Sequence, residues 1–205
     1  IVGCTTHNNT QDGINIASII GGSGDADNSY NIDIHGHQSK SETDYGIGIV
    51  QPLLNTDPSP RDIRIIGGQA QACGNGLRIK GGTRIRVFGF ECLDTVNNGI
   101  DCGTPGSGTA DFLSVFCEFV GVICKNSNSG GGGYYGLYIS GIRCVVTGGE
   151  FWDDRSPNLQ LAGIRLQNDN RHIVSGSMCY TNLNGGVLNN GGPNTNYVVP
   201  GQGTI

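Results

Sequence analysis

Short stretches in which Ile, Val, Leu or Phe alternate with polar residues keep returning along this chain, and each ends at or near a glycine. They read NIDIHGH (31–37), DIRIIGG (62–68), RIRVFGF (84–90), DFLSVFC (111–117), RCVVTGG (143–149) and RHIVSGS (171–177). A second series follows them: GINI, GIGI, GLRI, GIDC, GLYI, GIRL and GVLN. IVGC at the start reads as the tail of a copy, and NYVVPGQ near the end as a last one. Period-two alternation is the signature of a strand, with successive side chains on opposite faces. No helical period separates the strands; Gly, Asn, Ser and Pro do. One copy cannot bury its apolar face, whereas stacked copies form a continuous core. The pattern therefore predicts an all-β, single-stranded parallel β-solenoid of about seven rungs. It forms one domain over residues 1–205. Because IVGC opens in mid-strand, the chain reads as part of a longer protein.

Within VFGFEC the alternation sends Val87, Phe90 and Cys92 inward and leaves Phe88 and Glu91 outward. Aligning copies on the strand-ending position puts Glu91, Glu118 and Glu150 in one outward column, after Gln38 and Gln69 and before Met178. Rungs of a parallel sheet lie about 4.7–4.9 Å apart, so such carboxylates repel and raise at least one pKa. Neighbouring rungs suit a retaining glycosidase, with carboxyls roughly 5–5.5 Å apart, and a two-rung gap suits an inverting one. Either also leaves room for calcium between carboxylates. The other reading of the column is a solvated polar face. The Glu118 and Glu150 copies continue into the longest loops, VGVICKNSNSGGGGYYG and FWDDRSPNLQLAG. These bring Trp152, Asp153, Asp154 and Arg155, with Tyr134 and Tyr135, beside the glutamates. A Trp flanked by carboxylates and an Arg offers a sugar ring a platform, acceptors and a clamp, or else caps the core beneath its loop.

Two further outward columns follow. Asn15, Gly48, Arg78, Asp101, Tyr138, Arg165 and Leu188 make up one. In it Arg78, Asp101 and Tyr138 either bind an anionic sugar or serve as a cross-strand charge ladder. The other holds His35, Ile66, Phe88, Phe116, Thr147 and Ser175, where Ile66, Phe88 and Phe116 make an apolar stripe of the kind that marks association. In HGH (35–37), His35 points out and His37 in, which makes the pair structural.

Composition narrows the function classes. With 12 basic and 17 acidic residues and a net charge of −5, the chain lacks the basic balance of a general nucleic-acid surface. No stretch approaches a membrane span. Eight cysteines occur without any C-x-x-C pair or zinc-like Cys/His spacing, so no metal site is expected. Several stand where other copies carry Ile, Val or Phe, which favours small buried hydrophobes over a disulfide framework.

The NIxIxG strand, the NNG corner and the GIxI strand together resemble the right-handed parallel β-helix superfamily. Its members include pectate lyases, polygalacturonases, alginate epimerases and bacteriophage tailspikes. The resemblance covers nearly the whole chain and implies an extracellular or virion-surface protein that meets acidic or complex polysaccharide. By comparison with tailspikes it also implies a homotrimer. RIK at 78–80 is similar to the substrate-binding Arg-Ile-Lys of polygalacturonases, but that family's Asn-Thr-Asp and Gly-His-Gly motifs are absent, so its roles do not transfer. Asp153, Asp154 and Arg155 match a pectate-lyase calcium cluster only loosely. The expectation is a tailspike-type depolymerase without a cofactor, in which Glu118 and Glu150 act as acid and base or nucleophile and Glu91 contributes. The alternatives are a non-enzymatic spike or adhesin that binds glycan without cutting it, and a purely structural rod.

Overall fold

The structure, a computed structural model, describes residues 1–17, 19–20, 26–27, 30–50, 60–103, 114–167, 171–190 and 197–199. Every secondary-structure element among them is a β-strand, and the strands stack in parallel as a β-solenoid. About five complete turns are described, with partial turns at either end, against the seven rungs expected. Each turn has three faces. The first carries Arg86–Phe88, Glu118–Val120, Val145–Thr147, Ile173–Ser175 and Tyr197–Val199, and the second Thr5–His7, Glu91–Leu93, Ile123–Lys125, Glu150–Trp152 and Met178–Tyr180. Two long strands, Tyr30–Lys40 and Arg61–Gln71, run across both, so the sheet forks beyond them into two branches. The third face is a separate seven-stranded sheet: Ile14–Ala17, Tyr45–Val50, Asn75–Lys80, Ile100–Cys102, Leu137–Ile139, Ile164–Leu166 and Val187–Asn189. A short antiparallel pair, Ile19–Ile20 with Ala26–Asp27, lies outside the coil pattern.

The inward positions are the ones the alternation selects. Val87, Phe90 and Cys92 are fully buried, as are their counterparts Phe119, Val122 and Cys124 in the next coil. Seven of the eight cysteines are buried and none is disulfide-linked, so they fill the core as expected. His37 is fully buried, with Nδ1 2.8 Å from the Cys4 carbonyl, while His35 is half-buried.

Corners are made by residues in the left-handed region. The corner before the first face uses Asn31, Asp62, Arg84, Phe116, Arg143 and Arg171, all with φ between 53° and 57°. Three of them keep the N–H on the neighbouring coil as they turn the chain: the Asp62 amide donates to Thr83 O at 3.1 Å, Arg84 to Val115 O at 2.9 Å and Phe116 to Ile142 O at 2.9 Å. The corner into the third face is set instead by proximity. A Cβ at Gly13, Gly46, Gly76, Gly99, Gly136 or Gly163 would run into the next coil's glycine carbonyl. That close approach is why glycine stands immediately before, or second in, each of these six third-face strands.

One alignment is overturned. Glu118 pairs with Arg86 and Val145, whereas Glu91 pairs with Ile123, which pairs with Glu150. The coil that matches RIRVFGFEC is thus CEFVGVIC, with Gly121 rather than Cys117 near the strand-ending position. The hydrophobic alternation of FLSVFC resembled a first-face strand, but its inward set would have placed Gly121 and Val122 out of step with Gly89 and Phe90. Phe116 leaves the apolar stripe for the same reason: Ile66 and Phe88 are followed there by Val120, and Phe116 sits at the corner, 47% exposed.

Candidate functional site

Two outward columns run side by side along the solenoid axis. One is the left-handed corner, with Asp62, Arg84, Phe116 and Arg143. The other is the outward position of the first face, where the register sets Asp33, Arg64, Arg86, Glu118 and Val145 in line. Between them lies a groove. Its first part, about 250 Å³, is lined by Asn31, Asp33, Asp62, Arg64, Arg84 and Arg86. Past Arg84 and Arg86 it continues into a wider part of about 490 Å³ bounded by Phe116, Glu118, Arg143 and Val145.

The groove is dominated by guanidinium groups. Arg64 grips Asp33 with two hydrogen bonds, Nε to Oδ1 at 2.7 Å and Nη2 to Oδ2 at 2.5 Å. Arg84 does the same with Asp62, both at 2.6 Å. These bonds hold the Asp33 and Asp62 carboxyls below the usual carboxylate range. Both carboxylates therefore stay ionised and orient the arginines. Arg86 Nε lies 3.7 Å from Glu118, with 55% of the Arg86 side chain exposed. The Arg143 guanidinium sits 5.5 Å from the Phe116 centroid, an arrangement in which the cation faces the ring's negative quadrupole. Arg61, Arg64, Arg84, Arg86, Arg143 and Arg171 all belong to this face or its corner, half of the chain's 12 basic residues. Against them stand Asp33, Asp62 and Glu118. The face is thus locally positive on a chain of net charge −5.

The sequence-selected residues divide among three places. Glu118 lines this groove with Phe116. Glu91 and Glu150 are on the second face, separated by Ile123, so Glu118 and Glu150 do not form a pair. Glu91 accepts a hydrogen bond from Gln69 Nε2 at 3.0 Å. Trp152 stacks on Tyr180 with centroids 5.5 Å apart and planes 12° apart. On the coil before it, Lys125 Nζ lies 5.8 Å from the Trp152 centroid. With both ring faces covered, Trp152 is one layer of a stack rather than the open platform expected. The two long loops do leave the same corner of adjoining coils, and they bind each other: Asn128 Nδ2 donates to Leu159 O at 2.6 Å and the Leu161 amide to Tyr134 O at 2.9 Å. Asp153 is buried at the base of its loop and Asp154 pairs with Lys125 at 2.6 Å. Arg155 is engaged by Asp153, so the loop's charges hold the loop.

The third face is as the sequence placed it. Arg78, Asp101, Tyr138 and Arg165 are register neighbours, preceded by Asn15 and Gly48 and followed by Leu188. Arg78 lies 3.8 Å from Asp101 and also bonds the Tyr45 hydroxyl. Burial, with the Asp101 carboxylate beside it, pushes the Tyr138 hydroxyl up. A notch of about 260 Å³ on this side is lined by Asp12, Asn15, Asp44, Tyr45, Arg78 and Lys80.

No family model, curated protein or solved structure matches this chain. Its chemistry rests on the geometry alone. What the sequence reading missed is the arginine groove. The signal was present in Arg-Asp-Ile-Arg at 61–64 and Arg-Ile-Arg at 84–86, which put two cations each in adjoining copies.

Proposed function

We propose that this chain is a glycan-binding β-solenoid module that lays a linear, acidic polysaccharide along the first-face groove. The observation that carries this is the axial run of exposed arginines, Arg64, Arg84 and Arg86, continuing to Phe116 and Arg143. A planar guanidinium recognises carboxylate or sulfate groups in a bidentate manner. An exposed aromatic offers apolar surface to a sugar ring. A groove parallel to the stacking axis suits a polymer, because successive coils repeat the same contacts along it. Asp33 and Asp62 are held ionised by their arginines, which favours binding over proton donation. As in the superfamily the sequence resembles, the module belongs outside the cell or on a virion, associating as a trimer through the Ile66, Phe88 and Val120 stripe.

A second reading, cleavage of a glycan held in the third-face notch as by a tailspike-type depolymerase, is favoured by Asp12. Burial raises its carboxyl, the Asp44 carboxylate raises it further, and it lines that notch with Arg78 and Tyr45. A raised carboxyl beside a second carboxylate is the arrangement of a general acid.

Calorimetric titration with a polyuronate, a sulfated glycan and a neutral glucan tests both. Binding of the acidic polymers alone is expected, weakening about tenfold in each of Arg84→Ala and Arg86→Ala and falling with added salt. Equal affinity for the neutral glucan, or unchanged affinity in both variants, sinks the groove. New reducing ends that vanish in Asp12→Asn would establish cleavage; if Glu118→Gln or Glu150→Gln abolishes them instead, the acid is one of those glutamates.

A further inference from the structure

We infer that Cys102, Cys117 and Cys144 form a buried three-thiolate site for a thiophilic d10 cation, with Zn2+ the ion that charge favours. The three sulfurs come from three successive coils and lie within 4.8 Å of one another, all out of contact with solvent. Cys102 closes the third-face strand Ile100–Cys102, while Cys117 and Cys144 stand just before the first-face strands Glu118–Val120 and Val145–Thr147. The sulfurs therefore converge across a single corner of the solenoid. In neighbouring coils the same inward positions hold Ile63 and Ile85 in one column and Ile79, Ile139 and Leu166 in the other. Three side chains, each two heavy atoms smaller than isoleucine, thus meet where branched aliphatics otherwise fill the core. Random core filling by cysteine does not require that the three touch.

The distances suit a metal. A Zn–S bond of about 2.3 Å puts tetrahedrally arranged sulfurs about 3.8 Å apart, so each needs to move by less than about an ångström. His172 follows Cys144 in the same inward column, and its Nδ1 accepts the Cys144 amide at 3.3 Å. That contact commits Nδ1 and fixes the ring beside the sulfurs, as a group that orients a ligand does. Soft thiolates select Zn2+ and Cu+ over hard ions. Three thiolates with Zn2+ leave one net negative charge in the core and with Cu+ leave two, so Zn2+ is the less costly occupant. Binding forms three metal–sulfur bonds and releases the thiol protons to solvent, coupling occupancy to folding. The ligand spacing, fifteen and then twenty-seven residues, comes from the coil length and resembles no local zinc motif.

The experiment is metal analysis of the whole chain, refolded anaerobically with Zn2+, Co2+ or Cu+ in turn. One Zn2+ or Cu+ per chain is expected, and Co2+ should show a near-ultraviolet sulfur-to-cobalt charge-transfer band. Replacing Cys102, Cys117 and Cys144 singly by Val, smaller than the isoleucine these inward columns accept, should weaken Zn2+ binding at least 100-fold. Cys92→Val and Cys124→Val, in the middle of second-face strands, should leave it unchanged. The wild-type titration decides without any variant: no stoichiometric ion with either Zn2+ or Cu+ overturns the site. So does undiminished binding in a folded triple-Val chain.

Discussion

Gly99→Ala is expected to cost about 3 kcal/mol and to lower the apparent midpoint of thermal unfolding by about 10 °C. A methyl group at this position would lie 2.6 Å from the Gly136 carbonyl oxygen and 2.9 Å from both Cys124 Sγ and Ser127 Oγ. The nearest of these atoms is backbone, held in the third-face ladder, so relief requires adjoining coils to separate. Gly99→Val should prevent folding. Gly121→Ala is the informative comparison. Gly121 has φ +59° and no atom within 4 Å of the added carbon, so only the left-handed backbone penalty of about 1 kcal/mol applies. Circular dichroism melts of the two variants side by side check this. Equal losses would mean that coil spacing adapts more readily than the glycine column implies.

Asp153→Ala should be at least as damaging, at about 3–5 kcal/mol. The Asp153 side chain is fully buried, and its oxygens accept from Arg155 Nε at 2.8 Å, Arg155 Nη2 at 2.7 Å and the Arg155, Leu159 and Gln160 amides at 3.1, 2.7 and 2.6 Å. Removing the acceptor strands a guanidinium and three amides at once. Burial alone would raise the carboxyl, but the Arg155 and amide hydrogen bonds outweigh it and bring its pKa down to about 2 from 3.8. A value depressed in the folded state stabilises the fold above the unfolded value. The contribution, about 2 kcal/mol at neutral pH, is therefore lost as the pH falls through 4 toward 2. Denaturant titrations of wild type and Asp153→Asn at pH 7 and pH 2.5 should converge at the lower pH. A constant gap between them would show that the acid loss arises elsewhere.

How far the sequence discloses this molecule differs from face to face. The third face was legible down to single registers, because the glycines at the starts of six of its strands are forced by the next coil's carbonyl. Arg78, Asp101 and Tyr138 fell into line for that reason. The Glu118 copy slipped, since Gly89 and Gly121, the corner glycines between the first and second faces, have open space around them and impose no comparable constraint. There Phe116-Cys117-Glu118 passed for a match to Gly89-Phe90-Glu91, and a column of three carboxylates was read where Ile123 stands between two. Trp152 had the composition of a sugar platform, but its partners Lys125 and Tyr180 occupy one position of successive coils and become stacked only once the register is known. The arginine groove depends on the left-handed corner at Arg84 and Phe116, a backbone state that non-glycine residues rarely signal. The thiol cluster depends on three coils at once.

The fully paired ladders have a mechanical meaning. Hydrogen bonds between coils run along the solenoid axis, so tension applied to its two ends loads the coils in series. They should peel away one by one, as a knitted row unravels, instead of yielding together as strands sheared side by side do. The coils run from 22 residues, Ile65 to Val87, to 32, Val87 to Phe119, and at roughly 3.3–3.6 Å per extended residue the steps should release about 75 to 110 Å of chain. A force trace from this molecule would then show low-force teeth whose spacing follows the coil lengths. The rod would work as a ratcheting tether that lengthens under load while its remaining coils keep their groove.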